Sequence, residues 1–127
     1  MKGVLDTSVL VAGGFDRLDA ELAISAVSLA ELHFGVLVAR AAGVRAARLE
    51  RVALVEREFV ALPVDDAVAR TYGRLAATVQ ERGRQPRRRA LDLLIAATAV
   101  VHGARLYTRN ADDLIGLDDV LDVVPLG

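Results

Sequence analysis

Val4-Leu5-Asp6-Thr7-Ser8-Val9-Leu10-Val11-Ala12-Gly13-Gly14 reads as a short apolar strand stopped by an aspartate, then a second apolar run that ends on paired glycines. Val4-Leu5 fits a buried strand, and Val9 to Ala12 fits a short helix or turn. The alternation continues downstream. Leu22 to Val27 suits a second strand. Ser28-Leu29-Ala30-Glu31 has the spacing of a capping box, opening a helix to about Ala42 with Gly43 as its C-cap. Val44 to Glu58 carries Leu49, Val52, Ala53 and Val55 at helical spacing, so a further helix packs beside the first. Phe59 to Val64 reads as a strand, and Asp65-Asp66 caps a long helix through Glu81 that stops at Gly83. A loop containing Pro86 and several arginines follows. Ala90 to Val101 is nearly all apolar and ends at His102-Gly103, the pattern of a buried helix. Arg105 to Thr108 is a strand, Asn110 to Leu114 a helical turn, and Val120 to Val124 a last strand. Strands alternating with helices predict an α/β fold with a parallel sheet covered on both faces.

The 127 residues leave room for one domain, spanning 1–127, with one core. Hydrophobic residues at 54% against 26% charged favour folding over disorder. With aromatics at only 4%, the core has to come from Val, Leu, Ile and Ala. The absence of Cys excludes a disulfide scaffold, a thiolate zinc site and a cysteine nucleophile. Two histidines, His33 and His102, do not suffice for a His-rich metal site and are expected to be structural. The N-terminus lacks the pattern of a secretory signal, and the apolar runs are too short or too interrupted by charge to span a bilayer. The expectation is a cytoplasmic protein with no membrane partner. A net charge of −1 argues against generic polyanion binding, but it hides an uneven distribution. Arg82, Arg84, Arg87, Arg88 and Arg89 crowd one short stretch; Asp112, Asp113, Asp118, Asp119 and Asp122 crowd the tail.

In parallel α/β sheets, sites form beyond the carboxyl ends of the strands where strand order reverses. Four acidic segments fall at such places. Asp6 follows the first strand, Glu31 lies in the first turn of its expected helix, Asp92 opens the apolar helix, and Asp112-Asp113 follow the strand ending at Thr108. Asp92 is the most informative, because its helical neighbours Ile95, Ala96 and Ala99 put it against a buried surface or its rim. An ionised carboxylate there is costly without a cation or donor, and Arg88, Arg89 or a hard divalent ion could each supply one. Carboxylates without His or Cys favour Mg²⁺ or Mn²⁺, and the matching chemistry is phosphodiester hydrolysis by a metal-activated water.

Each residue also has a plainer account. Asp6 with Thr7 could be a turn after a strand, Glu31 could complete the cap with Ser28, and Asp92 could simply favour a helix N-terminus. Asp112 and Asp113 could form a solvated turn. The arginines could be a solvated loop, although their place just before Asp92 suits contact of Arg87, Arg88 and Arg89 with an RNA backbone.

Taken together, Val4-Leu5-Asp6-Thr7-Ser8-Val9-Leu10, Ser28-x-x-Glu31-Leu32, Leu91-Asp92-Leu93-Leu94-Ile95-Ala96-Ala97-Thr98-Ala99 and Thr108-Arg109-Asn110-x-x-Asp113-Leu114 resemble the successive motifs of PIN-domain proteins. In length and order the chain is most similar to the VapC toxins of bacterial toxin–antitoxin pairs, over nearly its whole length. The resemblance implies an α/β/α sandwich with a mostly parallel sheet and a Mg²⁺- or Mn²⁺-dependent endoribonuclease. It also implies a homodimer held inactive by a VapB-like antitoxin. Asp6, Glu31 and Asp92 match the family's acidic metal-site positions, Asp113 its final aspartate, and Thr108 and Asn110 the polar residues beside it. Asp6 and Asp92 are then expected to bind the principal ion, with Glu31 and Asp113 completing the pocket. Thr7, Ser8 and Thr108 are expected to hydrogen-bond the carboxylates or the phosphate. Leu114 departs from the aromatic frequent in the family, and Asp112 leaves open which tail carboxylate approaches the metal.

Other classes fit less well. A receiver-like domain needs an acidic pair after its first strand and a lysine near its last, but the only lysine is Lys2. A haloacid-dehalogenase-like phosphatase needs Asp-x-Asp where this chain has Asp6-Thr7-Ser8. The stronger rival is a catalytically silent PIN-like fold that binds RNA or protein. The apolar helices between Ser28 and Glu58, with Phe34, are expected to offer a partner groove.

Overall fold

A computed structural model describes residues 2–127. Five strands, β1 (Lys2–Leu5), β2 (Glu21–Ser25), β3 (Ala61–Leu62), β4 (Arg105–Thr108) and β5 (Val123–Pro125), form one sheet. Five helices connect them: α1 (Thr7–Ala12), α2 (Ala26–Val38), α3 (Ala42–Glu58), α4 (Asp66–Glu81) and α5 (Ala90–Val101). Short 3-10 turns occupy Phe15–Arg17, Pro86–Arg89 and Ala111–Leu114. The strand order is β3-β2-β1-β4-β5, and every pairing is parallel, so the expected mostly parallel sheet is wholly so.

The strands divide their side chains between two apolar layers, as a period of two requires. Val4 and Leu106 join a core with Val68, Leu75 and Val79 of α4 and Leu93, Ile95 and Ala96 of α5. Leu5, Ile24 and Tyr107 join the opposite core with Leu10 of α1, Leu32 and Val36 of α2, and Val52 and Val55 of α3. Helices therefore cover both faces, and one-residue slippage of β1 would exchange the two layers. In α4 the buried positions Val68, Thr71, Leu75 and Val79 repeat at helical spacing, with Asp65 accepting from Val68 N at 3.0 Å to cap the start. Tyr107 constrains β1 as well: a Cβ on Gly3 would stand 2.5 Å from its Cε2, so only glycine fits beside that ring.

Several expected boundaries shift, one with consequences for function. The second strand ends at Ser25, not Val27, and Ser25 caps α2 by accepting from Val27 N at 3.0 Å. The Ser28–Glu31 capping box is therefore not formed. Both residues lie inside the helix, and Glu31 is free to point elsewhere. α2 ends at Val38 and α3 begins at Ala42, so Gly43 is an internal helix residue and not a C-cap. The expected strand Phe59–Val64 shrinks to Ala61–Leu62, because Pro63 has no N–H to give the ladder and Phe59 turns inward, ring edge to face against Phe15. The last strand begins at Val123, three residues later than expected. Helix α5, strand β4 and the helix from 66 to 81 match the sequence reading. Among the described residues, no helix is long and apolar enough to cross a membrane.

Strand order reverses between β1 and β4, so the crevice beyond their carboxyl ends is the topological switch point. Asp6 and Thr108 stand there side by side.

Candidate active site

Asp6 occupies the N-cap position of α1, but its side chain does not bond the helix N–H groups. The carboxylate turns across the switch point. Its Oδ2 accepts from Thr108 Oγ1 at 2.6 Å and from Ser8 Oγ at 3.0 Å. Each hydroxyl in turn accepts a backbone N–H from the loop after β4: Arg109 N reaches Ser8 Oγ and Asn110 N reaches Thr108 Oγ1, both at 3.0 Å. Asp6 N donates to Tyr107 O at 2.9 Å. These bonds lock two segments far apart in sequence. Asp6 is 7% exposed and Thr108 fully buried, so the two hydroxyl donors offset much of the cost of burying a carboxylate.

Glu31 is held in the same manner. Thr7 Oγ1 donates to Glu31 Oε1 at 2.7 Å and lies 2.9 Å from Ser28 Oγ, which is fully buried. One hydroxyl carries one proton, so Thr7 donating to Glu31 leaves Ser28 to donate to Thr7. The residue pair that suggested a helix cap is thus a side-chain relay joining α1 to α2.

Asp113, on the 3-10 turn, accepts from Arg89 Nη1 at 2.6 Å through Oδ1, and its main-chain oxygen accepts from the same nitrogen at 3.1 Å. The other tail aspartate goes elsewhere. Asp112 is exposed, and its carbonyl accepts from Arg84 Nη1 at 3.4 Å. Of the two, Asp113 is the one that lines a recess with Asp6 and Asp92.

Asp92 sits in the first turn of α5 and has none of these partners. Its pKa is raised from 3.8 to about 6, first by burial and then by the charges of Asp6, Asp113 and Glu31, with Arg89 opposing. Asp6 and Asp92 are shared by two adjoining spaces, one that includes Glu31 and one that includes Asp113. Asp6, Thr7, Ser8, Glu31, Asp92, Arg109 and Asn110 line an open cleft of about 500 Å³. Beneath it, Asp6, Asp92, Thr108, Asn110 and Asp113 enclose a recess of about 10 Å³, about the room of one water-sized sphere.

This donor set suits a small hard cation: every available side-chain donor is oxygen, and the recess has the size of one such ion. As they stand, however, no three acidic or histidine side chains among the described residues are close enough to clasp an ion together. Three of the acids are each held by their own partner: Asp6 by Thr108 and Ser8, Glu31 by Thr7, and Asp113 by Arg89.

The basic stretch behaves differently from a simple RNA-facing loop. Arg89 is committed to Asp113, Arg84 bonds the Asp112 carbonyl, and Arg82 packs where a side chain on Gly116 would be, its Cδ 2.9 Å from the Cβ position. Arg87 and Arg88 remain exposed. Arg109, not singled out as a site residue from the sequence, lines the cleft; its place between Thr108 and Asn110 was the available signal.

Parallel sheet, switch point and converging acids together define the class, and the PIN-domain family model matches residues 3–119. The chain belongs to the PIN-domain family. It is 42% identical over 127 residues to Ribonuclease VapC5 of Mycobacterium tuberculosis, covering 95% of this chain and 91% of that protein. Ribonuclease VapC4 of the same organism is 34% identical over 117 residues, covering 87% and 88%. Among solved structures, VapBC-5 of M. tuberculosis, a member of the VapBC family of toxin–antitoxin systems, superposes with a TM-score of 0.86 at 38% identity, covering 98% of each chain.

Proposed function

We propose that residues 1–127 form one nuclease domain, a Mg²⁺- or Mn²⁺-dependent endoribonuclease that serves in the cytoplasm as the toxin of a VapBC-like pair. The observation carrying this reading is the half-buried Asp92, which lines one cleft with Asp6 and Glu31 and one recess with Asp6 and Asp113, its pKa raised first by burial and then by those charges. Such a concentration of like charge is unfavourable in a resting fold and is what a divalent ion offsets.

Asp6 and Asp92 would hold the principal ion, with Glu31 and Asp113 completing the pocket directly or through water. When bound, the ion supplies a nucleophilic water at neutral pH and offsets charge on the scissile phosphate. Thr108 and Ser8 hold Asp6 in place, and Thr7 with Ser28 aims Glu31. One of the carboxylates orients or deprotonates the attacking water. Asn110 and Arg109 line the cleft where the phosphate would lie, and Arg87 and Arg88 stand free to meet the RNA backbone.

The α2–α3 hairpin is the surface proposed for the antitoxin. Phe34, Leu37, Val38, Val44 and Leu49 are each 45–75% exposed there, an apolar group that suits a protein partner. The similarity to a chain of a VapBC toxin–antitoxin structure supports an antitoxin partner. A homodimer is proposed on the same family grounds, to be tested by light scattering.

The separation of the carboxylates favours one second reading, a catalytically silent module that binds RNA or protein. Incubation of structured RNA with the wild-type chain and with Asp92→Asn, with and without Mn²⁺, separates the two. Cleavage by the wild type alone, and only with metal, is expected. Equal cleavage by both proteins marks a contaminant, and no cleavage by either favours the silent module.

A further inference from the structure

A second groove opens directly off the acidic cleft. Thr7, Val11 and Glu31 line both, so the two are continuous. The groove holds about 450 Å³ between α1, α2 and α3, within the range of pockets that take a small ligand. Its walls are apolar at Leu32 and Val52 and cationic at Arg48 and Arg51.

The two arginines are fixed but not neutralised. Arg51 Nη1 donates to Leu10 O at 2.8 Å, and its guanidinium lies 5.9 Å from the Phe15 ring centre. Gly13, at φ +83°, leaves it room, since a Cβ there would be 3.1 Å from Nη1. Arg48 Nη1 donates to Gly35 O at 2.7 Å. Among the described residues neither arginine is in an ion pair. Three residues apart on one helix, they present to the same side.

We propose that this groove is a nucleotide subsite, in which Arg48 and Arg51 hold the phosphate backbone of single-stranded RNA next to the cleaved bond; this rests on the ribonuclease reading above. Charge is the reason. Four carboxylates repel a polyanion, so substrate must be held by cations beside the cleft, and Arg84 and Arg89 are already spent on the fold. Arg109 lies in the cleft itself, and Arg48 and Arg51 line the groove that leads out of it. Guanidinium forks match phosphate oxygens, and an apolar wall accepts the face of an unstacked base.

The test is fluorescence anisotropy of a short, labelled, mixed-sequence single-stranded RNA in EDTA, across a potassium chloride titration. Wild type is compared with Arg48→Gln, Arg51→Gln, Arg51→Lys, the double glutamine variant and the control Arg70→Gln, which is exposed on α4 against the opposite layer. Removing one cation from the phosphate backbone lowers the salt slope by about 0.7 for a single strand. The double variant is therefore expected to bind about tenfold or more weakly, with its slope reduced by about 1.4. Arg51→Lys should retain most of the binding, and Arg70→Gln should match wild type. Wild-type binding with an unchanged double variant would overturn the subsite alone and leave the groove to a protein segment. No RNA binding by the wild type would overturn the subsite, while cleavage of the same RNA in Mn²⁺ tests the ribonuclease reading separately: no cleavage there would overturn that reading too.

Discussion

Replacing Asp92 with Asn should make the metal-free protein more stable at neutral pH and less responsive to metal. Asp92 has a folded-state pKa of about 6 against an ordinary 3.8, so the fold prefers its carboxyl protonated. The stabilisation from that preference is fully present below about pH 3.8 and is lost as pH rises through about 6. Near pH 7.5 the charged carboxylate is a net burden on the metal-free fold. A shift of about 2 units corresponds to about 3 kcal/mol at most, and partial solvent exposure reduces this to about 1–2 kcal/mol. For a chain of this size that is a rise in Tm of roughly 3–8 °C. The assay is thermal unfolding by circular dichroism in EDTA, at neutral and acidic pH. The Asn variant should lead near pH 7.5, and the gap should narrow as pH falls below about 6 and close below about 3.8, where Asp92 is protonated in both folded and unfolded chains. Saturating Mn²⁺ should then reverse the order, since a ligand at about 100 times its Kd stabilises by about 2.7 kcal/mol and the variant has lost a principal ligand. A variant less stable than wild type in EDTA near pH 7.5, or a gap independent of pH, would refute the account of Asp92 as an uncompensated charge.

Thr108→Val removes the buried donor to Asp6 and leaves a nearly buried carboxylate oxygen short of a partner; a loss of about 1–3 kcal/mol in urea unfolding is expected. Arg89→Gln should cost about 1 kcal/mol, since the Asp113 pair is partly solvent-exposed. In a double-mutant cycle with Asp113→Asn, the two losses should be less than additive, and full additivity would show the pair to be energetically idle. Gly3→Ala should cost about 1–3 kcal/mol by forcing the Tyr107 ring away from β1; a Tm equal to wild type would show that the ring moves freely.

Elements were legible where local pattern and tertiary demand agree. Ala90–Val101 is nearly all apolar because Leu93 and Ile95–Ala99 are buried in the layer with α4, β1 and β4, and the sequence shows this directly. The pattern at Ser28–Glu31 misled because Ser25, one turn earlier, offers an equally good capping hydroxyl. The choice between them is made by Thr7, which engages both Ser28 and Glu31 from α1. The acid positions could be read because they follow strands or begin helices. Their restraints could not: Arg89 meets Asp113 across 24 residues, and Ser8 receives Arg109 N across 101. Such pairings depend on how the turns pack, which no local periodicity encodes. The same blindness concealed that Arg84 and Arg89 of the basic stretch are tied to Asp112 and Asp113.

The Thr108–Asp6 bond spans 102 residues and fastens the first strand to one made near the end of the chain, inserted beside it in mid-sheet. A ribosome adding about 5–20 residues per second needs roughly 5–20 s to pass from one to the other. For most of that interval the emerging polypeptide carries Asp6 and Glu31 but neither Thr108 nor Asp113, so the Asp6 carboxylate lacks its buried donor. The lock between Asp6 and Thr108 is therefore expected to close only after β4 has been made and has taken its place beside β1.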